Sequence, residues 1–372
     1  MVEPLYVPVL PVRRGAVTAY LRLSPAIRHR LAPLWTLPPR TGPERTRGAS
    51  PPPDPEADGH AMNAWLTPRV DRLIEAMDGN PGWVDAGHVE SELHGSAVAV
   101  QRLITRSGMV LVTAPGRDRT LQRYAADLAF LSGRGLAVRI AVDEPPDEPR
   151  STELLALVDR LRMPPSHLDL ILDAGEVRDV DESGKRSVAA LDLLGSLLPW
   201  RTVVLTAGAF PRAAETFEAG AASATTSRPE RHDWALHEWI RRARPEQAPV
   251  YGDYSVEHAL GANLAEDRFA GHGPPWGLLR YTGPGHFLVA RAPTRGNHRT
   301  DRVRALARWI VRDEAFRSSG ADRSSAEDWW EACAEGVGSR GSGSPETWSR
   351  MGHIQHLTYV TRCLLSRGAG RQ

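Results

Sequence analysis

Lysine is almost missing from this chain: among 46 basic residues only Lys185 is a lysine, and the rest are arginines. Neither sign of charge is in excess, because 45 acids leave a formal net charge of +1. A balanced chain lacks the electrostatic footprint of a nucleic-acid or membrane-surface binder, which argues against both partners. Cysteine is scarce as well. Cys333 and Cys363 are too few for a disulfide framework or a Cys-rich zinc site. No apolar run approaches the ~20 residues that a spanning helix needs. The N-terminus shows no basic region followed by an apolar one. The expectation is a cytoplasmic protein. Several catalytic fingerprints are absent too. "PVRRGAV" after the first apolar run holds one Gly and no G-x-G-x-x-G, and there is no Walker loop, G-x-S-x-G elbow, H-E-x-x-H or kinase set.

What is present is alternation. Short apolar runs, "LYVPVLPV" (5–12), "LAPLWTL" (31–37), "GWVDAGHV" (82–89), "GMVLVTA" (108–114), "GLAVRIAV" (135–142), "HLDLILDAG" (167–175), "RTVVLTAGAF" (201–210) and "APVYGDYSV" (248–256), read as strands. Between them lie segments with helical spacing, such as "RDRTLQRYAADLAFLSG", stopped by Gly133. Strict alternation means a parallel sheet with helices outside it. Seven or eight such units in about 250 residues fit a closed (β/α)8 TIM-type barrel better than an open doubly wound sheet, whose phosphate turn is missing. The Pro-, Gly- and charge-rich residues 40–60 read as a flexible insertion, followed by a helix with Pro68 in its first turn. Beyond residue 260 the pattern changes. "WGLLRYTGPGHFLVARA" (276–292) reads as a hairpin, and 300–316, 326–336 and 348–365 as helices. The expected organisation is a barrel over 1–260 with residues 261–372 as a C-terminal extension packed on it.

Particular residues carry a resemblance. They are Tyr6-Val7-Pro8-Val9-Leu10 with Arg14-Gly15, Pro33 to Pro39, Asp85 in the third strand and Arg139 in the fifth. Asp169 and Asp173 in "DLILD", Phe210-Pro211, "YGDY" (251–254), "RYT" (280–282), and Trp348, His356 and Thr358 complete the set. In that order, and over nearly the whole chain, they resemble the bacteriophage beta-protein family. The resemblance implies a phage or phage-defence setting and no established chemistry. It also implies two departures here. Trp35-Thr36 stand where relatives carry a Glu, and Ala209 stands where they carry a Ser before Phe-Pro.

Strand ends of a parallel barrel gather at one mouth, where such folds build their sites. Asp85, Asp173 and Asp253 are the candidate catalytic groups there, as acid/base pair or ligands of a divalent metal. Arg139, Arg231, Tyr254, Arg280 and Tyr281 are the candidate ligand-binding residues, Arg231 because it precedes a helix after the seventh strand. Asp253 is expected to point into the mouth between Tyr251 and Tyr254. Asp169 shares the face of Asp173 two pleats lower and is a weaker candidate. The bland readings are ion pairs inside the barrel and a strand-end cap at Asp253. His353 and His356, three apart, read as core histidines rather than zinc ligands. Two functions stay open: an enzyme acting on a small anionic, phosphorylated or nucleotide-like molecule, and a non-catalytic module binding a protein partner or signal ligand.

Overall fold

The computed structural model describes residues 4–40, 55–90, 93–212, 225–260, 276–320, 323–337 and 341–369. Eight parallel strands close into a barrel: β1 (Tyr6–Pro11), β2 (Leu34–Thr36), β3 (Gly82–Asp85), β4 (Met109–Thr113), β5 (Leu136–Ala141), β6 (Leu168–Glu176), β7 (Thr202–Gly208) and β9 (Val250–Asp253). The last pairs with both β7 and β1, aligning Tyr6 with Tyr251 and Pro8 with Asp253. The expected (β/α)8 architecture is therefore the observed one. Its strands are apolar on both faces, as burial inside a helical ring requires. Val9, Leu34, Trp83, Val112, Ile171 and Val204 fill the interior, while Leu10, Trp35, Leu111, Leu170 and Leu205 face the helices.

Gly252 is dictated by this closure. A Cβ there would stand 2.7 Å from Thr206 Cγ2 and 2.8 Å from the Val7 carbonyl, inside the seam where β7, β9 and β1 meet. The strand limits are shorter than the apolar runs. The third ends at Asp85, because the chain turns so that the Gly87 N–H can bond back to the Asp85 carboxylate at 2.9 Å.

The hairpin is present as β10 (Trp276–Thr282) and β11 (Phe287–Pro293). A third strand, β8 (Thr225–Ser227), adds to its edge, and its polar "TTS" gives no apolar signal. Helices Arg299–Val311, Ser325–Glu335 and Pro345–Ala369 follow. The last lies against β10 and the helix Arg14–Leu21, which brings residues far apart in sequence onto the outside of the barrel. Most of the expected insertion, residues 41–54, lies outside the described residues. Its end does not: the next helix is Pro55–Met77, so residues 55–60 are helical and Pro68 sits inside the helix, not in its first turn. The polar "PEADGH" start carries no apolar periodicity to announce it. No helix among the described residues is long and apolar enough to cross a membrane.

Candidate functional site

Three strands deliver charges to the C-terminal end of the barrel. Along β5, Ala137 faces in and Val138 out, so the pleat turns Arg139 inward; on β6 the same alternation turns in Ile171 and Asp173. Arg139 then bridges two acids. Its Nη1 donates to Asp85 Oδ2 at 2.8 Å, and its Nε and Nη2 donate to Asp173 Oδ2 at 3.1 and 2.6 Å. Tyr254, just past β9, donates its hydroxyl to Asp173 at 2.7 Å and accepts from Arg139 Nη2 at 2.7 Å. Thr206 and the Gly175 N–H bond the other Asp173 oxygen at 3.1 and 3.0 Å.

A second arginine extends the line. Arg117, in the turn after β4, donates to Asp85 Oδ1 at 2.5 Å and to Glu90 Oε1 at 2.7 Å. The result is an unbroken chain, Glu90–Arg117–Asp85–Arg139–Asp173, of three carboxyls and two guanidiniums. Its side chains are 9–13% exposed, so they form the floor of the mouth and are not sealed in the core. Burial works against the Asp85 charge, but Arg117 and Arg139 outweigh it and hold that carboxyl well below the usual range. Glu90 goes the other way. Burial pushes it up to about 7 against the pull of Arg117, with the Asp85 charge adding to the rise. One guanidinium thus holds a committed carboxylate and a carboxyl poised near neutrality.

Other expected site residues lie elsewhere. Asp253 does not enter the mouth. On β9 the pleat sends Val250 and Gly252 inward, Tyr251 and Asp253 outward, and Tyr254 in again, so Asp253 faces the C-terminal helix. There it accepts from Tyr6 at 2.5 Å, Tyr251 at 2.8 Å and the Ser255 N–H at 2.8 Å, and it lies 3.0 Å from His356 Nε2. Arg231 joins this buried group, 2.7 Å from Asp233 and 3.9 Å from Asp253. Burial opposes the Asp253 charge, while His356 and Arg231 hold its carboxyl below the ordinary value. Arg280 lies 3.4 Å from Glu257, and Tyr281 bonds Glu327 and the Arg317 N–H under the C-terminal helices. Asp169 is a floor bolt at the other end, fully buried and bonded by Trp83 Nε1 and Arg201.

The mouth therefore gathers Asp85, Arg139, Asp173 and Tyr254 of the sequence candidates, and adds Glu90, Arg117 and Thr206. The last three escaped notice because two sit in turns without periodicity and the third is one Thr in an apolar run. For a divalent metal the donor set is poor. Among the described residues no three His, Cys, Asp or Glu are placed to hold one, and Arg139 occupies the space between Asp85 and Asp173. His353 and His356 turn to different partners, Ser255 with Glu257 and Thr282 with Asp253.

A family model described as Beta protein matches residues 6–362, nearly the whole chain. The chain belongs to the Beta protein family. No curated protein matches it. In this Beta protein, Thr36 is the register partner of Asp85 and shares the inner face with Leu34, while Trp35 packs outward on Tyr20. Thr36 thus lies beside the charge chain, and Trp35 lies on the helical ring.

The raised Glu90 gives a signed expectation. A carboxyl at about 7 in the folded protein, against an ordinary 4.5, binds its proton more tightly folded than unfolded. Its ionisation therefore costs stability as pH rises from about 4.5 to 7, and the cost is complete above that. At about 1.4 kcal/mol per pH unit the ceiling is about 3 kcal/mol. Glu90→Gln, which still accepts from Arg117, is expected to gain on wild type between pH 5 and pH 8 in urea denaturation. A variant-to-wild-type difference that is the same at both pH values would show that Glu90 titrates as an ordinary carboxyl.

Proposed function

We propose that this Beta protein is a barrel enzyme whose mouth performs acid–base chemistry on a small polar molecule, with Glu90 moving the proton. The observation that carries this reading is the unbroken chain Glu90–Arg117–Asp85–Arg139–Asp173 at the end of the barrel where this fold builds its sites. General acid–base catalysis needs a group whose proton exchanges near neutrality and a frame that fixes it. Arg117 supplies the frame for Glu90, and Arg139 with Asp173 and Tyr254 braces it from behind. With Glu90 ionised the floor carries three negative charges against two positive ones, and with Glu90 protonated it is neutral. Such a floor favours a hydroxyl or amine over a phosphate. A phosphorylated or nucleotide-like substrate would enter sugar- or base-first. The phage or phage-defence setting implied by the sequence resemblance remains part of the proposal.

A second reading has its own observation. Asp173 accepts five hydrogen bonds, two from Arg139 and one each from Tyr254, Thr206 and Gly175, which suits a structural clamp in a non-catalytic module for a protein partner or signal ligand. Thermal melts of wild type, Asp173→Asn and Asp253→Asn against a panel of nucleosides, nucleotides and sugar phosphates separate the two. A ligand that binds only the folded state raises the melting point by mass action. The enzyme reading expects a shift in wild type and Asp253→Asn, whose own baseline falls, and none in Asp173→Asn. A panel without any shift, or one that shifts all three alike, would remove the mouth from consideration as a small-molecule site.

A further inference from the structure

Every arginine that the sequence put forward as a ligand-binding cation already has a carboxylate: Arg139 has two, Arg231 has Asp233, and Arg280 has Glu257. The cations without one are elsewhere. Arg22 caps the helix Arg14–Leu21, and Arg362 lies on the helix Pro345–Ala369. Both line a cleft of about 420 Å³ between that corner of the barrel and the helix Ser325–Glu335. Arg22 leaves the mouth with its helix after β1 and ends it, so the cleft belongs to the opposite rim. Among the described residues the Arg22 side chain has no ion pair or hydrogen bond. Among the same residues Arg362 has a single neutral contact, 3.1 Å to the Arg323 carbonyl.

The rest of the lining has the same polarity. A third arginine, Arg323, is neutralised by Asp328 and Glu331, which uses up Asp328, the sole acid on the cleft wall. Thr358 lies one helical turn before Arg362, on the same face. It is 5% exposed as a residue and lines the cleft. Ser24 and Ser325 add hydroxyls at the edge. Two guanidiniums without a carboxylate among the described residues, with the hydroxyls of Thr358, Ser24 and Ser325 around a cavity of ligand size, mark a place suited to an acceptor-rich group.

We infer that this cleft binds the phosphate group of a small phosphorylated molecule. Guanidinium forks match the oxygen spacing of phosphate, and their charge-assisted bonds are the strong ones. A phosphate brings three strong acceptor oxygens, enough for two forks and a hydroxyl, whereas one carboxylate brings two. The cleft and the mouth are independent: neither shares a side chain with the other.

Inorganic pyrophosphate, titrated calorimetrically into the full chain in a low-salt chloride buffer, tests this. Wild type is expected to bind it saturably. Arg22→Gln and Arg362→Gln are each expected to weaken binding about tenfold or more, and Thr358→Val several-fold. Arg22→Gln decides the matter if the others disturb the helix, because that exposed side chain bonds to none of the described residues and the variant should melt no lower than wild type. Asp173→Asn at the mouth is expected to bind pyrophosphate as wild type does. Absence of saturable heat in wild type, or equal affinity in Arg22→Gln, overturns the inference. So does equally tight binding of hexaglutamate at the same residues, which would make the cleft a surface for acidic peptide.

Discussion

Arg231→Met is expected to destabilise the protein by about 3–5 kcal/mol, measured as the loss in urea-unfolding free energy at pH 7.5. Arg231 is 3% exposed and faces Asp233 and Asp253, which are 2% and 1% exposed. Removing the guanidinium while leaving both acids strands negative charge where water cannot reach it, and the Tyr6 and Tyr251 hydroxyls compensate only as neutral donors. Stranded carboxyls escape by taking up protons, so the deficit should shrink as pH falls toward 5. Adding Asp233→Asn should restore part of the loss, since it removes the acid that sits closest to Arg231. A deficit below about 1 kcal/mol at pH 7.5 would mean that Asp233 and Asp253 do not depend on Arg231 for their compensation.

Arg139→Met is the other large effect, expected to cost about 2–3 kcal/mol. The value sits low in the range for a broken charge pair because Asp85 and Asp173 keep 12–13% side-chain exposure and some water. Asp85 also retains Arg117, and Asp173 retains Tyr254, Thr206 and Gly175. The pH dependence has a definite sign. Asp85 is held below its ordinary value, so its contribution is present above the unfolded value near 4 and is lost as pH falls below it. The gap between wild type and Arg139→Met should therefore be full at pH 7 and narrow below pH 4. A gap that widened on acidification would contradict the charge pairing. Under the enzyme reading the same variant also loses any ligand-induced melting shift, whereas a purely structural clamp loses stability alone.

The barrel was legible because strand and helix alternate in the apolar pattern, and a closed parallel sheet is what such alternation builds. The face of each polar strand residue was less legible. A strand buried on both sides is apolar on both, so nothing in "APVYGDYSV" says whether Tyr251 and Asp253 or Gly252 and Tyr254 face inward. An error of one residue reverses the answer, and that is why Asp253 was expected in the mouth beside Tyr254 when only Tyr254 faces it. Asp85, Arg139 and Asp173 met because their parity was right and their strand ends coincide. Glu90 and Arg117 reach the same floor from turns, where spacing carries no information. The arginine partners were hidden for a related reason. Glu257 comes to Arg280 from another element, and Asp233, two residues from Arg231, becomes its partner only because the helix start folds it back.

The carboxylate of Asp253 has a consequence for how the chain comes apart. It is shared by Tyr6 at the start of β1, Tyr251 on β9 and His356 on the C-terminal helix, and the first and last of these are 350 positions apart and in contact. Peeling away any one of the three leaves a charge bare among apolar neighbours, so partial opening gains little entropy for a high electrostatic penalty. The seam that closes the barrel and the helix that covers it should thus be lost together, as one cooperative unit, and form late in folding, when contacts of such long sequence separation can finally be made.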